Sequence, residues 1–110
     1  MKRYCYTLDL KENESLKKEY INHHKKVWPE ILKSMKSSGI LNIEIYNINY
    51  RLFMLIETEN KFDEKKKQKM DSENPIVQKW ETKMWEYQKK VKGSNKGEKW
   101  VKLNRIFNLD

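Results

Sequence analysis

Residues 41–57 constrain this chain more tightly than any other stretch. Leu41, Ile43 and Ile45, with Asn47, alternate with Asn42, Glu44 and Tyr46, the period-2 pattern of a half-buried strand. Only Asn49 and Tyr50 then separate this run from a second one, in which Leu52, Met54 and Ile56 alternate with Phe53, Leu55 and Glu57. So short a link between two strands predicts a hairpin. The second strand is apolar on both faces, which marks it as central and covered on both sides. The remaining segments must therefore supply two coverings for one sheet.

The flanking segments fit that demand. Residues 2–10 read as a strand, with Tyr4, Tyr6, Leu8 and Leu10 on one face and Arg3, Cys5, Thr7 and Asp9 on the other. Asn13, or else Ser15, caps a helix over 14–25, in which Leu16, Tyr20 and a histidine recur at helical spacing. Pro29 ends that helix and opens the next, over 29–37, because proline lacks the N–H that a helix interior needs but suits the first helical position. Gly39 stops it. Residues 60–71 are charged and helix-forming after an irregular start, and Asn74-Pro75 restarts a helix carrying Val77, Trp80, Met84 and Tyr87 at helical spacing. Residues 90–97 read as a loop and 99–107 as a last strand. The order β-α-β-β-α-β is that of an α+β, ferredoxin-like domain with a four-stranded antiparallel sheet, spanning residues 1–110 as one unit. Both helical segments fall on one side of such a sheet. The covering of the other side is expected from a second copy, giving a homodimer.

Composition narrows the class of function. The formal net charge is +8, but acidic residues are interleaved with most of the lysines, so the charge reads as a solvated surface and no nucleic acid partner is expected. Aromatics reach 12%, too many for a disordered chain. No apolar run is long enough to span a membrane, and no signal-peptide core is present. The single cysteine, Cys5, excludes an intrachain disulfide and suits a cytoplasmic protein. There is no glycine-rich phosphate loop.

The chemistry-bearing residues gather at the proline break. His23 and His24 are the only histidines, and Tyr20 lies one helical turn before His24, on the same face. Histidine titrates near neutrality, and a helix C-terminus favours its charged form, so His24 is a candidate acid and base. The adjacent His23 lacks the companions of a metal site, and no metal is expected. Trp28, Trp80, Trp85 and Trp100 either fill a small core or offer flat apolar walls to a sugar ring, whose hydroxyls Asn42, Glu44 and Glu81 could bind.

These blocks carry a resemblance. Lys-Arg-Tyr-Cys-Tyr-Thr-Leu-Asp-Leu at 2–10, Glu-Tyr-Ile-Asn-His-His-Lys-Lys-Val-Trp-Pro-Glu-Ile at 19–31, Ile-Glu-Ile-Tyr at 43–46, Met-Asp-Ser-Glu-Asn-Pro at 70–75 and Val-Gln-Lys-Trp-Glu at 77–81 resemble the L-rhamnose mutarotase family, and within it the L-fucose branch. The resemblance implies a dimeric α/β barrel that interconverts the α and β anomers of a 6-deoxy-L-hexose such as L-rhamnose or L-fucose, without metal or organic cofactor. It implies that His24 is the proton donor and that Tyr20 and Trp80 contact the sugar. Ile43 and Glu81 stand where rhamnose-active members have tyrosine and tryptophan, which moves the expected sugar toward L-fucose or another aldose. Dimeric α/β-barrel monooxygenases and haem-binding proteins share the expected fold and are the alternative reading.

Overall fold

The computed structural model describes residues 1–95 and 98–109. The elements are β1 (Lys2–Leu10), α1 (Glu14–Lys25), α2 (Pro29–Ser37), β2 (Ile40–Ile48), β3 (Arg51–Thr58), α3 (Glu64–Glu73), α4 (Pro75–Trp85), β4 (Gln88–Lys89) and β5 (Val101–Lys102). The sheet is antiparallel in the order β2-β3-β1-β4, with β5 also paired to β1. This is the order expected of the ferredoxin-like pattern, with each helical layer split in two by a proline.

Local chemistry explains the breaks. Asn13 caps α1 by accepting from the Leu16 amide. Pro29 sits in the first turn of α2, and Asn74 ends α3 while its side chain caps α4, just before Pro75. Asp63 caps α3, so the charged stretch becomes helical only from Glu64. At the hairpin, Ile48 faces Arg51 across a two-residue link, and Asn49 takes a positive φ of 50°, a conformation that asparagine tolerates better than most residues.

Register decides which side chains meet. Tyr4, Tyr6 and Leu8 lie opposite Ile56, Met54 and Leu52, and Ile43 and Ile45 lie opposite Ile56 and Met54. All of these share the face under the helices. There Leu8, Leu10 and Leu52 pack with Tyr20, Ile31, Val77, Trp80, Met84 and Tyr87, and a smaller cluster gathers around Ile40, Ile56 and Phe62. Leu8 is fully buried at the centre of the larger cluster. Leu8→Ala is expected to lower stability by about 2–5 kcal/mol in a urea titration, as the loss of a core leucine does where the cavity cannot collapse.

Two expectations need correction. The strict alternation from Leu41 fails at its start, because a bulge between Ile40 and Asn42 turns Ile40 into the core and leaves Leu41 59% exposed. The last strand is not continuous over 99–107. The outer edge of β1 is shared by two short strands, β4 opposite Asp9 and Leu10 and β5 opposite Tyr6 and Thr7. Leu103 still donates its amide to the Cys5 carbonyl, and among the described residues beyond it there is no further strand. The expected loop over 90–97 joins β4 to β5, though residues 96 and 97 lie outside the described residues.

Candidate active site

The last turn of α1 brings the Tyr20 and His24 rings together, with centroids 4.4 Å apart. Tyr20 is buried, and its ring also meets Tyr87 edge-on at 6.1 Å. His24 is partly exposed and has Trp80 of α4 edge-on at 5.7 Å. Trp28, at the break between α1 and α2, stands edge-on to Trp80 at 5.1 Å. Three elements therefore converge on one aromatic cluster around the His24 imidazole. The sequence places these residues because α1 must turn at Pro29, and the turn lays Trp28 against the face of α4 that carries Trp80.

His24 Nδ1 lies 2.9 Å from the Tyr20 carbonyl oxygen. A carbonyl only accepts, so Nδ1 carries the proton, and Nε2 of the neutral ring is left with a lone pair. Burial lowers the His24 pKa from its ordinary value, outweighing the Tyr20 carbonyl that raises it, and the neighbouring His23 lowers it further. The expectation that the helix end would favour the charged form is thereby reversed: desolvation is the larger effect, and the ring rests neutral at pH 7. Tyr20 moves the opposite way for the same reason. Burial pushes its phenol up to about 12, so it stays protonated and serves as a donor.

The other sequence candidates divide. Glu81 neighbours Trp80 on α4, accepts from the Gln78 amide at 3.3 Å, and its carbonyl lies 3.4 Å from the Lys99 ammonium. Ile43 faces the helices but belongs to the second cluster, with Ile40, Ile56 and Phe62, and is not brought to His24. Glu44 lies on the opposite face of the sheet, where it accepts from Asn42 and from the Tyr46 hydroxyl. Within one chain it cannot serve a site at His24, because alternation along β2 sends it to the side away from the helices. A cavity of about 630 Å³ is lined by Trp28 with Gln78, Thr82 and Lys83 of α4; neither Tyr20 nor His24 lines it.

Two contacts escaped the sequence reading. His23 Nε2 lies 3.1 Å from the Tyr87 hydroxyl, and Gln88 lies buried just after it. Helical spacing put Tyr87 in the core, but it carried no sign of a polar partner on α1. Gln88 looked like any polar residue beyond a helix end.

The sequence matches the family model for L-rhamnose mutarotase over residues 3–109. The chain belongs to the L-rhamnose mutarotase family. It is 40% identical to an L-fucose mutarotase of Xanthomonas campestris pv. campestris, over 99% of this chain and 89% of that one. It is 34% identical to an L-rhamnose mutarotase of Oceanobacillus iheyensis, over 84% of this chain and 85% of that one. The crystal structure of an L-rhamnose mutarotase from Formosa agariphila matches the whole chain with a TM-score of 0.72 at 20% identity, a likeness of fold. Membership of the mutarotase family takes the place of the monooxygenase and haem-binding readings, which rested on the shared fold alone. Among the described residues no helix is long and apolar enough to cross a membrane.

Proposed function

We propose that the protein is an isomerase that interconverts the α and β anomers of a 6-deoxy-L-hexose, with His24 moving the proton. The observation that carries this reading is the neutral imidazole at the end of α1, its Nδ1 committed to the Tyr20 carbonyl and its Nε2 without a hydrogen-bond partner among the described residues. Mutarotation takes a proton from the anomeric hydroxyl and adds one to the ring oxygen. The bond from C1 to the ring oxygen breaks, the C1–C2 bond rotates, and the ring closes on the other face. In the forward direction His24 Nε2 removes the anomeric proton, and the imidazolium so formed returns it to the ring oxygen. One group thus acts as base and then as acid, with no net change in protonation or redox state. Tyr20 donates to the sugar and orients it, and Trp80 and Trp28 supply apolar walls. The 40% identity to an L-fucose mutarotase and the residues Ile43 and Glu81 favour L-fucose over L-rhamnose. Anomer-exchange NMR on L-fucose, L-rhamnose and D-galactose tests the reading, and no acceleration with any of them would overturn it.

The pH dependence has a definite sign. Protonation removes the lone pair that starts the reaction, so kcat/KM falls as pH falls. Because burial holds the His24 pKa below its ordinary value of about 6.5, the rate stays level through neutrality and declines only at more acid pH. A decline centred above about pH 6.5 would contradict this assignment.

The working form is a homodimer in the cytoplasm. The sheet face away from the helices carries Tyr46, Ile48 and Phe53, all exposed in the single chain. The C-terminal segment beyond β5 holds Ile106 97% exposed, Phe107 74% and Leu109 91%. Apolar groups held in water on both a sheet face and an arm fit each other across two copies.

A further inference from the structure

Gln88 is a polar side chain for which the fold provides only part of its hydrogen bonding. It lies opposite Leu10, so both side chains point into the helix layer, and it is 5% exposed. Its Oε1 is buried and has no hydrogen-bond partner among the described residues. The carboxamide approaches the Tyr20 phenol and acts on it in the direction that lowers its pKa, against the larger upward push of burial. A half-turn of the amide exchanges O for N. It changes which atom is left over, but one end still faces Tyr20 and the other still meets no partner among the described residues. Buried polar atoms without partners are costly and rare in native proteins. Packing alone does not explain the residue, because methionine would fill the same space with no unpaired atom.

Position adds a second argument. Tyr87 and Gln88 are consecutive, and they reach consecutive positions on one face of α1. Tyr87 bonds His23, and Gln88 meets Tyr20, three residues earlier. The carboxamide thus sits beside Tyr20, on the helix whose last turn carries His24. A sugar bound there has hydroxyls to offer on every side.

We propose that Gln88 is a sugar-contacting residue, whose free Oε1 accepts a hydrogen bond from a hydroxyl of the bound monosaccharide while the other end of the carboxamide holds the Tyr20 phenol. This rests on the mutarotase reading. A site whose acceptor is filled only by substrate selects for that hydroxyl, since an analogue lacking it leaves the acceptor unpaired.

Gln88→Met removes the acceptor and keeps the volume. Anomer exchange should be measured by NMR across sugar concentrations for both proteins, together with thermal unfolding with and without sugar. The expected result is a kcat/KM about 10- to 100-fold lower, carried mainly by KM, with an unfolding temperature equal to or above that of the wild type and a smaller shift on adding sugar. Gln88→Leu should repeat the loss if Gln88→Met does not fold. An unchanged KM in a folded variant would overturn the proposal and leave the atom to a trapped water. A lowered unfolding temperature with exchange per folded molecule intact would overturn it in favour of a structural role. Wild-type protein that accelerates no exchange would remove the mutarotase reading and this proposal with it, an outcome distinct from an active wild type matched by Gln88→Met.

Discussion

His24→Ala is expected to reduce the acceleration of anomer exchange by about 10²–10⁴-fold, the range that a positioned acid–base group contributes. The size follows from the site having one such group. Tyr20 cannot substitute as a base, because burial keeps its phenol protonated up to about 12. His23 cannot replace it either, since its Nε2 is engaged by the Tyr87 hydroxyl 3.1 Å away. Removing the imidazole leaves the rings of Tyr20 and Trp80 in place, so sugar binding should weaken far less than turnover. NMR saturation transfer between anomers reads the rate directly, and circular dichroism checks that the variant is folded. An undiminished rate in folded His24→Ala would remove this imidazole from the reaction.

Deleting residues 103–110 is expected to convert the protein from dimer to monomer at micromolar concentration. Leu103, Ile106, Phe107 and Leu109 are exposed in the single chain, three of them at 74% or more. Among the described residues, little covers the Ile106, Phe107 and Leu109 side chains. Burial contributes roughly 25 cal/mol per Å² of apolar surface, so three large side chains taken out of water are worth several kcal/mol, enough to shift a dissociation constant by more than 100-fold. Each copy supplies an arm, so the effect counts twice. Sedimentation equilibrium of the full and shortened chains measures it. A full-length chain that sediments as a monomer at these concentrations would refute the homodimer, and a shortened chain that stays dimeric would leave the sheet face alone as the interface.

Much of the aromatic cluster at the candidate site is legible in the sequence, and the reason is its locality. Tyr20, His24 and Trp28 lie on one helix and the break that follows it, and their mutual placement depends only on helical spacing and on Pro29. Trp80 joins them because α4 packs on the same sheet face, which the apolar spacing of Val77, Trp80 and Met84 already announced. Glu44 and Ile43 lie apart from His24 within the single chain. Adjacent residues on a strand point to opposite faces, so one chain presents the two on different sides of its sheet. The protonation state of His24 was also read in the wrong direction. A helix end can be seen in a sequence, whereas the depth to which neighbouring rings exclude water cannot.

The chain's own pattern determined its element order, its two proline breaks, its central two-faced strand and the turn that bears the imidazole. Each depends on neighbours within a few residues, whose side-chain directions follow from helix or strand period alone. Tertiary packing alone decided that the edge of β1 is divided between β4 and β5, that the residues past Leu103 leave the sheet, and that the acceptor of Gln88 is buried without a partner. These outcomes turn on which distant segments compete for the same edge and on how much water each position loses, quantities set by the whole folded surface.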